Sequence, residues 1–146
     1  MSALHSACGP DLTADTLYRL LRLRVEVFML EQDCLYQELD GRDRLPDTVH
    51  LWWQPDDEPL AYLRVLGAPG GERRVGRVCV ARQARGTGLG GRLMAAALAH
   101  IGSDESVLDA QVHVRDMYTR FGYLPEGEVF DDHGVDHIRM RRPATP

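Results

Sequence analysis

The segment Val78-Cys79-Val80-Ala81-Arg82-Gln83-Ala84-Arg85-Gly86-Thr87-Gly88-Leu89-Gly90-Gly91 constrains the fold more than any other. An apolar strand pattern enters a short loop, and glycines then open a helical pattern. Glycine lets the backbone approach a ligand closely, and the free N–H groups of a helix start suit an anion. The segment reads as a phosphate cradle joining a strand to a helix. From Arg73 to Ser103 there is no acidic residue, yet Arg73, Arg74, Arg77, Arg82, Arg85 and Arg92 fall there, in a chain of net charge −5. That asymmetry predicts a local positive field suited to a polyanionic ligand. The glycines alone fit close helix packing equally well.

Gly86, Gly88 and Gly91 also satisfy GxGxxG, and Asp109 imitates the acid of a dinucleotide-binding unit. In such a unit, however, the strand runs almost directly into the first glycine, and two βαβ halves are normally used. Here Ala81–Arg85 intervene and one crossover exists. A Gly-Lys-Ser/Thr signature is missing, which excludes a P-loop. The spacing reads better as Gln83-x-x-Gly86-x-Gly88, or equally Arg85-x-x-Gly88-x-Gly90.

Around this turn the pattern is mixed α/β. Residues 13–31 form an amphipathic helix with Thr13 as N-cap and Asp15 in its first turn; Leu17, Leu20, Leu21, Arg24, Val25 and Phe28 follow the helical period. Residues 32–47 read as a loop. Strands are expected at Thr48–Gln54, Leu60–Leu66 and Val75–Ala81, with Val78 and Val80 on one face and Cys79 on the other. A helix over 86–101, a strand over Val107–Val112, a short helix over Arg115–Phe121 and a hairpin of Tyr123–Phe130 and Val135–Arg141 complete the order α, β, β, β, α, β, α, β, β. This predicts a largely antiparallel sheet with one βαβ crossover over 75–112.

The 146 residues amount to one domain, 1–146, able to bury a core without staples. Cys8, Cys34 and Cys79 are too few and too scattered for a disulfide framework or zinc site, so free thiols are expected. All 17 basic residues are arginine, which excludes a lysine Schiff base. The negative net charge argues against general nucleic-acid binding. No apolar run reaches the roughly 18 residues of a membrane span, and Met1–Pro10 lacks the layout of a secretory leader. A cytoplasmic protein with no membrane partner is expected.

The glycine turn resembles the acyl-coenzyme A pyrophosphate loop of the GNAT N-acetyltransferase superfamily. Further blocks resemble its ElaA-like branch: Val27-Phe28, Glu31-Gln32, Cys34, Tyr36-Gln37 and Asp40-Gly41, then Ala110-Gln111-x-His113, Tyr118-x-x-Phe121-Gly122-Tyr123 and His137-Ile138-x-Met140. Val114, Arg115 and Asp136 depart from the pattern. The resemblance implies a twisted sheet splayed between its central strands, with acetyl-CoA as co-substrate in the split and no metal. It implies that the backbone of Val78, Cys79 and Val80 bonds the pantetheine as an added strand would. Amides from Arg85 through Gly86, Thr87, Gly88 and Leu89 to Gly90 hold the pyrophosphate. Gln111 stands where relatives place a cofactor-touching asparagine, and Tyr118 matches the general acid. From spacing alone Tyr118 is a core aromatic. The acceptor implied is a primary amine of a small molecule or peptide, and homodimers are common in the superfamily.

The amine must attack as the neutral base, although ordinary amines have pKa values of about 7.7–10.4. Glu31, His113 and, through water, Asp40 are the candidate bases. Cys79 reads as an inert buried thiol, and Cys34 has no base arranged beside it. The acids of residues 31–44 and 126–137 suggest a groove attracting a cationic amine. His133-x-x-x-His137 spans a hairpin rather than a helix face, which disfavours a metal site. The rival readings are a non-catalytic acyl-CoA-binding module on the same fold and a small dinucleotide-binding oxidoreductase.

Overall fold

The computed structural model describes residues 3–146; Met1 and Ser2, within the stretch read for a leader, lie outside the described residues. Short 3-10 turns aside, the elements are β1 (Leu4–Cys8), α1 (Ala14–Val25), β2 (Val49–Trp53), β3 (Ala61–Leu66), β4 (Arg73–Val80), α2 (Leu89–Ile101), β5 (Ser106–Gln111), α3 (Arg115–Thr119), β6 (Leu124–Asp132) and β7 (Val135–Arg142). The strands form one sheet in the order β1-β2-β3-β4-β5-β7-β6. Every pairing is antiparallel except β4 with β5. The expected mixed α/β architecture is therefore present.

Local physics explains where boundaries differ from expectation. β1 was not expected: Leu-His-Ser-Ala-Cys does not alternate, and with largely exposed side chains it is held by backbone pairing with β2, His5 stacked on Trp52 and Ala7 packed on the core under α1. Thr13 Oγ1 caps α1 by accepting from Thr16 N at 3.1 Å. The helix expected to reach residue 31 does so only by changing winding, with Glu26–Glu31 as a π-helical extension. α2 starts at Leu89 instead of residue 86 because Gly86 (φ +78°) and Gly88 (φ +82°) are left-handed. β5 ends at Gln111, so His113 falls in a 3-10 turn, Val112–Val114.

The sheet has a core on each face. Leu20, Leu23 and Val27 of α1 and its extension cover Trp52, Tyr62 and Cys79. Leu93, Met94, Ala97 and Ile101 of α2 cover Leu63, Val65, Val75 and Leu108, together with Tyr118, Tyr123 and Met140. Cys79 thus faces away from Val78 and Val80, as the alternation predicts, and Trp52 and Trp53 split between the two cores.

Two irregularities make a cleft. β4 and β5 pair only at Arg73↔Ser106 and Arg74↔Val107, then diverge. β4 also bulges between its partners Tyr62↔Cys79 and Arg64↔Gly76. Arg77, inside the bulge, has φ +54°, a left-handed conformation costing a non-glycine residue roughly 1–2 kcal/mol. Glu38 holds it there: Arg77 Nε lies 2.6 Å from Glu38 Oε2, and Nη2 donates to Glu38 O at 3.2 Å.

Glu38 belongs to a buried polar network beneath α1. Arg24 Nε donates to Glu38 Oε1 at 2.9 Å and Nη1 to Asp43 Oδ1 at 2.6 Å. Arg64 bridges Asp43 at 3.0 Å and Asp40 at 2.5 Å. His50 Nε2 sits 2.8 Å from Asp43 O, and Nδ1 sits 2.6 Å from the Tyr62 hydroxyl. The Asp43 carbonyl only accepts, so Nε2 donates and Nδ1 accepts from Tyr62; the neutral ring satisfies both contacts.

Burial, followed by the charges of Arg24 and Arg64 and opposed by Asp43, holds the His50 pKa below its ordinary value. His100 is shifted the same way by burial and Arg73. Unfolded chains then bind more protons than folded ones as pH falls through about 6.5, so stability is lost from there downward. Asp40, Asp43 and Asp109 are also low, because arginine bonds and charges outweigh the upward push of burial. Their contribution is present above about pH 3.8 and is lost as pH falls through their folded pKa values. Thermal melts should show a first fall in Tm between pH 7 and 5 and a second under acid conditions. His50→Gln should shrink the first step; an unchanged step would remove His50 from this account.

Candidate active site

The split between β4 and β5 opens into a cleft of about 1040 Å³ running through the sheet. Val78, Cys79, Val80, Arg85, Gly90, Gln111, His113, Tyr118 and Glu31 all line it. Sequence reasoning placed these residues in one site, and the fold brings them to one space.

At one end stands the glycine turn. Among the described residues no acceptor meets the N–H groups of Gly86, Thr87 or Gly88, and Leu89 and Gly90 lie in the first turn of α2. A Cβ at Gly86 or Gly88 would meet nothing within 4 Å. Their left-handed backbone, rather than crowding, is what calls for glycine. The turn is thus an open run of unpaired amides at a helix N-terminus and fits a pyrophosphate. One expectation is corrected: the Arg85 amide closes weakly on Arg82 O at 3.4 Å, so the free run begins at Gly86.

The positive field is narrower than the sequence implied. Arg73 is buried beside Asp104 at 3.3 Å, Arg74 pairs with Asp109 at 3.2 Å, and Arg77 is spent on Glu38. Arg82, Arg85 and Arg92 remain near the turn. Arg92 lies over the Trp53 ring at 5.3 Å. Arg85 crosses the cleft mouth, donating through Nε to Val80 O at 3.0 Å and through Nη2 to Glu31 Oε2 at 2.6 Å. The carboxylate considered as a base is therefore engaged by a guanidinium.

Beyond Arg74 the β5-facing edge of β4 has no strand partner. This leaves the backbone around Val78–Val80, apart from the Val80 carbonyl that Arg85 occupies, available to an extended ligand. Cys79 contributes only backbone here. Its buried thiol is pushed up to about 12 by desolvation, which makes it a poor nucleophile. Cys34 is buried and donates to His133 O at 3.2 Å.

Tyr118 sits in the inner core with its ring edge-on to Tyr123, centroids 6.4 Å apart. It also lines the cleft, and its hydroxyl has no hydrogen-bond partner among the described residues. Burial pushes its phenol pKa above the ordinary value. Gln111 reaches Gln32 at 3.4 Å across the cleft, and His113 is exposed on its turn without a bonded partner.

Sequence reasoning missed two features. His137 lies opposite Gln111 in the β5–β7 register and lines the cleft. Its Nδ1 is 2.8 Å from Val135 O, which can only accept, so Nδ1 carries the hydrogen and the neutral ring keeps a lone pair on Nε2. The His-Ile-x-Met block was the available signal. The second feature is charge. Glu38 and Asp43 are consumed internally and Glu126 pairs with Arg141. Of the two acidic segments, Glu31, Asp40 and Asp132 reach the cleft, where with Asp109 they face seven arginines.

Comparison with known proteins agrees with this geometry. Residues 11–143 match the family model described as an acetyltransferase (GNAT) domain. A UPF0039 protein of Mycobacterium tuberculosis is 46% identical over 147 residues, covering 98% of this chain and 94% of its own. Protein ElaA of Escherichia coli K12 is 39% identical over 138 residues, 90% of each chain. The crystal structure of an acyl-CoA N-acyltransferase from Pseudomonas aeruginosa superposes with a TM-score of 0.89 at 41% identity, covering 97% of this chain and 99% of that one. The free amide turn, the splayed strands and these likenesses together lead to one conclusion: the chain belongs to the GNAT acetyltransferase family, whose fold binds acyl-CoA.

Proposed function

We propose that the protein transfers an acetyl group from acetyl-CoA to a primary amine of a small molecule or peptide, by direct attack of the amine. The observation that carries this reading is one cleft lined by Tyr118, the free edge of β4 at Val78–Val80, and Arg85 and Gly90, the residues that flank the unpaired amides of Gly86–Gly88; residues 86–89 themselves do not line it. The amides hold the pyrophosphate, the free edge of β4 aligns the pantetheine, and an N–H near Val80 meets the developing oxyanion. The C–N bond forms as the amine lone pair attacks the carbonyl carbon. The C–S bond then breaks with its electron pair going to sulfur, and Tyr118 donates its proton there.

The amine proton leaves to a base on the cleft wall. The sequence offers Glu31, His113 and, through water, Asp40; the geometry favours His137 over all three, since Asp40 is held by Arg64 at 2.5 Å. Glu31 is tied to Arg85 and His113 makes no orienting bond, whereas Val135 fixes the His137 ring with Nε2 free.

Calorimetric titration with acetyl-CoA and NAD, followed by thiol-release assays over an amine panel, tests the proposal. Acetyl-CoA should bind and at least one amine should release CoA. Binding without turnover of any amine would favour a non-catalytic module, and binding of NAD alone would end the acyl-transfer reading.

A further inference from the structure

Resting on the acyl-transfer reading above, we infer that the empty protein blocks its own donor site. Arg85, held by Glu31, occupies the Val80 carbonyl that the pantetheine arm needs, so acyl-CoA enters only by unlatching this pair. Strand geometry puts that carbonyl on the contested edge. Ala81 N–H donates to the carbonyl of Leu60, one residue before β3, at 2.8 Å, and Val80 stands opposite Ala61 in the same ladder. Along an antiparallel strand, successive residues turn their peptide groups to alternate edges. The N–H and C=O of Val80 therefore point away from β3, toward the split that β5 leaves beyond Arg74. An added strand would bond there. The carbonyl is already taken, because Arg85 Nε donates to it at 3.0 Å. The guanidinium fills the place of the ligand's amide donor.

Glu31 keeps it there. Arg85 Nη2 donates to Glu31 Oε2 at 2.6 Å, so the same guanidinium is pinned at two points across the cleft mouth. Glu31 closes the π-helical extension of α1, and Arg85 precedes the free amides of the glycine turn. The bond thus ties the helix that covers one sheet face to the loop that holds the donor. The two side chains are 44% and 23% exposed, which places the pair nearer the weak surface ion pairs than the buried ones. A ligand can displace it. Binding to a molecule that must first open is weakened in proportion to the closed fraction, because the apparent Kd is the intrinsic Kd divided by the competent fraction. Glu31 lines the cleft, so donor entry also returns its carboxylate to the cleft wall.

The test titrates wild type, Glu31→Gln and Arg85→Ala with acetyl-CoA by calorimetry and with S-acetylpantetheine by ligand-observed NMR. S-acetylpantetheine carries the same thioester arm but no phosphate and no charge. Glu31→Gln should tighten both ligands by about 3- to 10-fold, the factor for a latch closed in roughly 70–90% of empty molecules. Arg85→Ala should tighten S-acetylpantetheine by a similar factor. The uncharged ligand separates the latch from simple charge. Removing an acid near the site favours any anion, whereas S-acetylpantetheine gains only from the freed carbonyl. Tightening of acetyl-CoA alone would overturn the latch. S-acetylpantetheine binding that either variant leaves unchanged, weakened or undetectable would overturn it too, with the acyl-transfer reading intact as long as wild type binds acetyl-CoA and releases CoA to an amine. Failure of wild type to bind acetyl-CoA marks the failure of that reading instead.

Discussion

Tyr118→Phe should lower kcat by about 10²- to 10⁴-fold, the range for removing a positioned general acid, while leaving the acetyl-CoA Kd and the Tm nearly unchanged. The two halves of this expectation have separate origins. The ring is the structural part: it packs in the inner core against Tyr123 and survives the substitution. The hydroxyl is the chemical part. It has no bonded partner among the described residues and opens on the cleft, so its removal strands no buried group. A conventional core tyrosine bonded to a neighbour, as Tyr123 is to Ser106 at 2.8 Å, would lose stability on the same change. Tyr118→Phe should therefore separate catalysis from folding where Tyr123→Phe does not. Burial also keeps the Tyr118 phenol protonated beyond its ordinary range. The pH–rate profile should thus show no alkaline decline from loss of that proton below about pH 10. Steady-state kinetics with a thiol-release readout checks both points. A variant retaining wild-type kcat would take the proton donor away from Tyr118.

What the sequence disclosed and what it hid follow from the range of each signal. The glycine turn is local: strand, loop and helix start lie within fourteen residues, and glycine identity reports the left-handed backbone directly at Gly86 and Gly88. The two-sided strand at 78–80 is equally local, since alternation alone assigns its faces. The β4 bulge was illegible because Arg77, not the adjacent Gly76, carries the positive φ, and a distant ion pair holds it. The charged network was illegible for the same reason. Its bonds join residues 7 to 39 apart, which leave no period to read. Residues 32–47 consequently looked like a solvated acidic loop, whereas Glu38 and Asp43 are buried counter-ions. Arg24 shows the limit most plainly. Helical spacing put it correctly on the apolar face of its helix, but nothing nearby named the carboxylates that make an arginine tolerable there. Two of the acids counted toward a cation-attracting groove, Glu38 and Asp43, are neutralised inside this network.

Arg24→Met should destabilise the fold by about 3 kcal/mol, near the lower end of the 3–5 kcal/mol expected when one member of a buried ion pair is removed. Methionine can fill much of the space around the Tyr62 ring, over which the guanidinium now lies at 5.5 Å, so the loss is electrostatic more than steric. Glu38 and Asp43 would stay buried with their charges but without Arg24. Neither is fully orphaned, since Arg77 still reaches Glu38 at 2.6 Å and Arg64 still reaches Asp43 at 3.0 Å; this keeps the cost below the upper figure. For a chain of this length the change corresponds to a fall in Tm of about 10 °C, a large share of a typical domain's margin. The double variant Arg24→Met/Glu38→Gln isolates the pair. Taking the charge off Glu38 removes most of the unpaired burial, so the double variant should lose less than the two single variants added together, with a coupling of about 1–3 kcal/mol. Because Glu38 also anchors Arg77 in the bulge of β4, Glu38→Gln should slow acetyl transfer even where it remains folded, whereas a purely structural ion pair would leave kcat untouched in the folded fraction. Additive losses in denaturant melts would show that Arg24 and Glu38 are neighbours without coupling. Coupling in the melts together with the kinetic effect makes the network the brace that holds the bulge of β4 at the cleft.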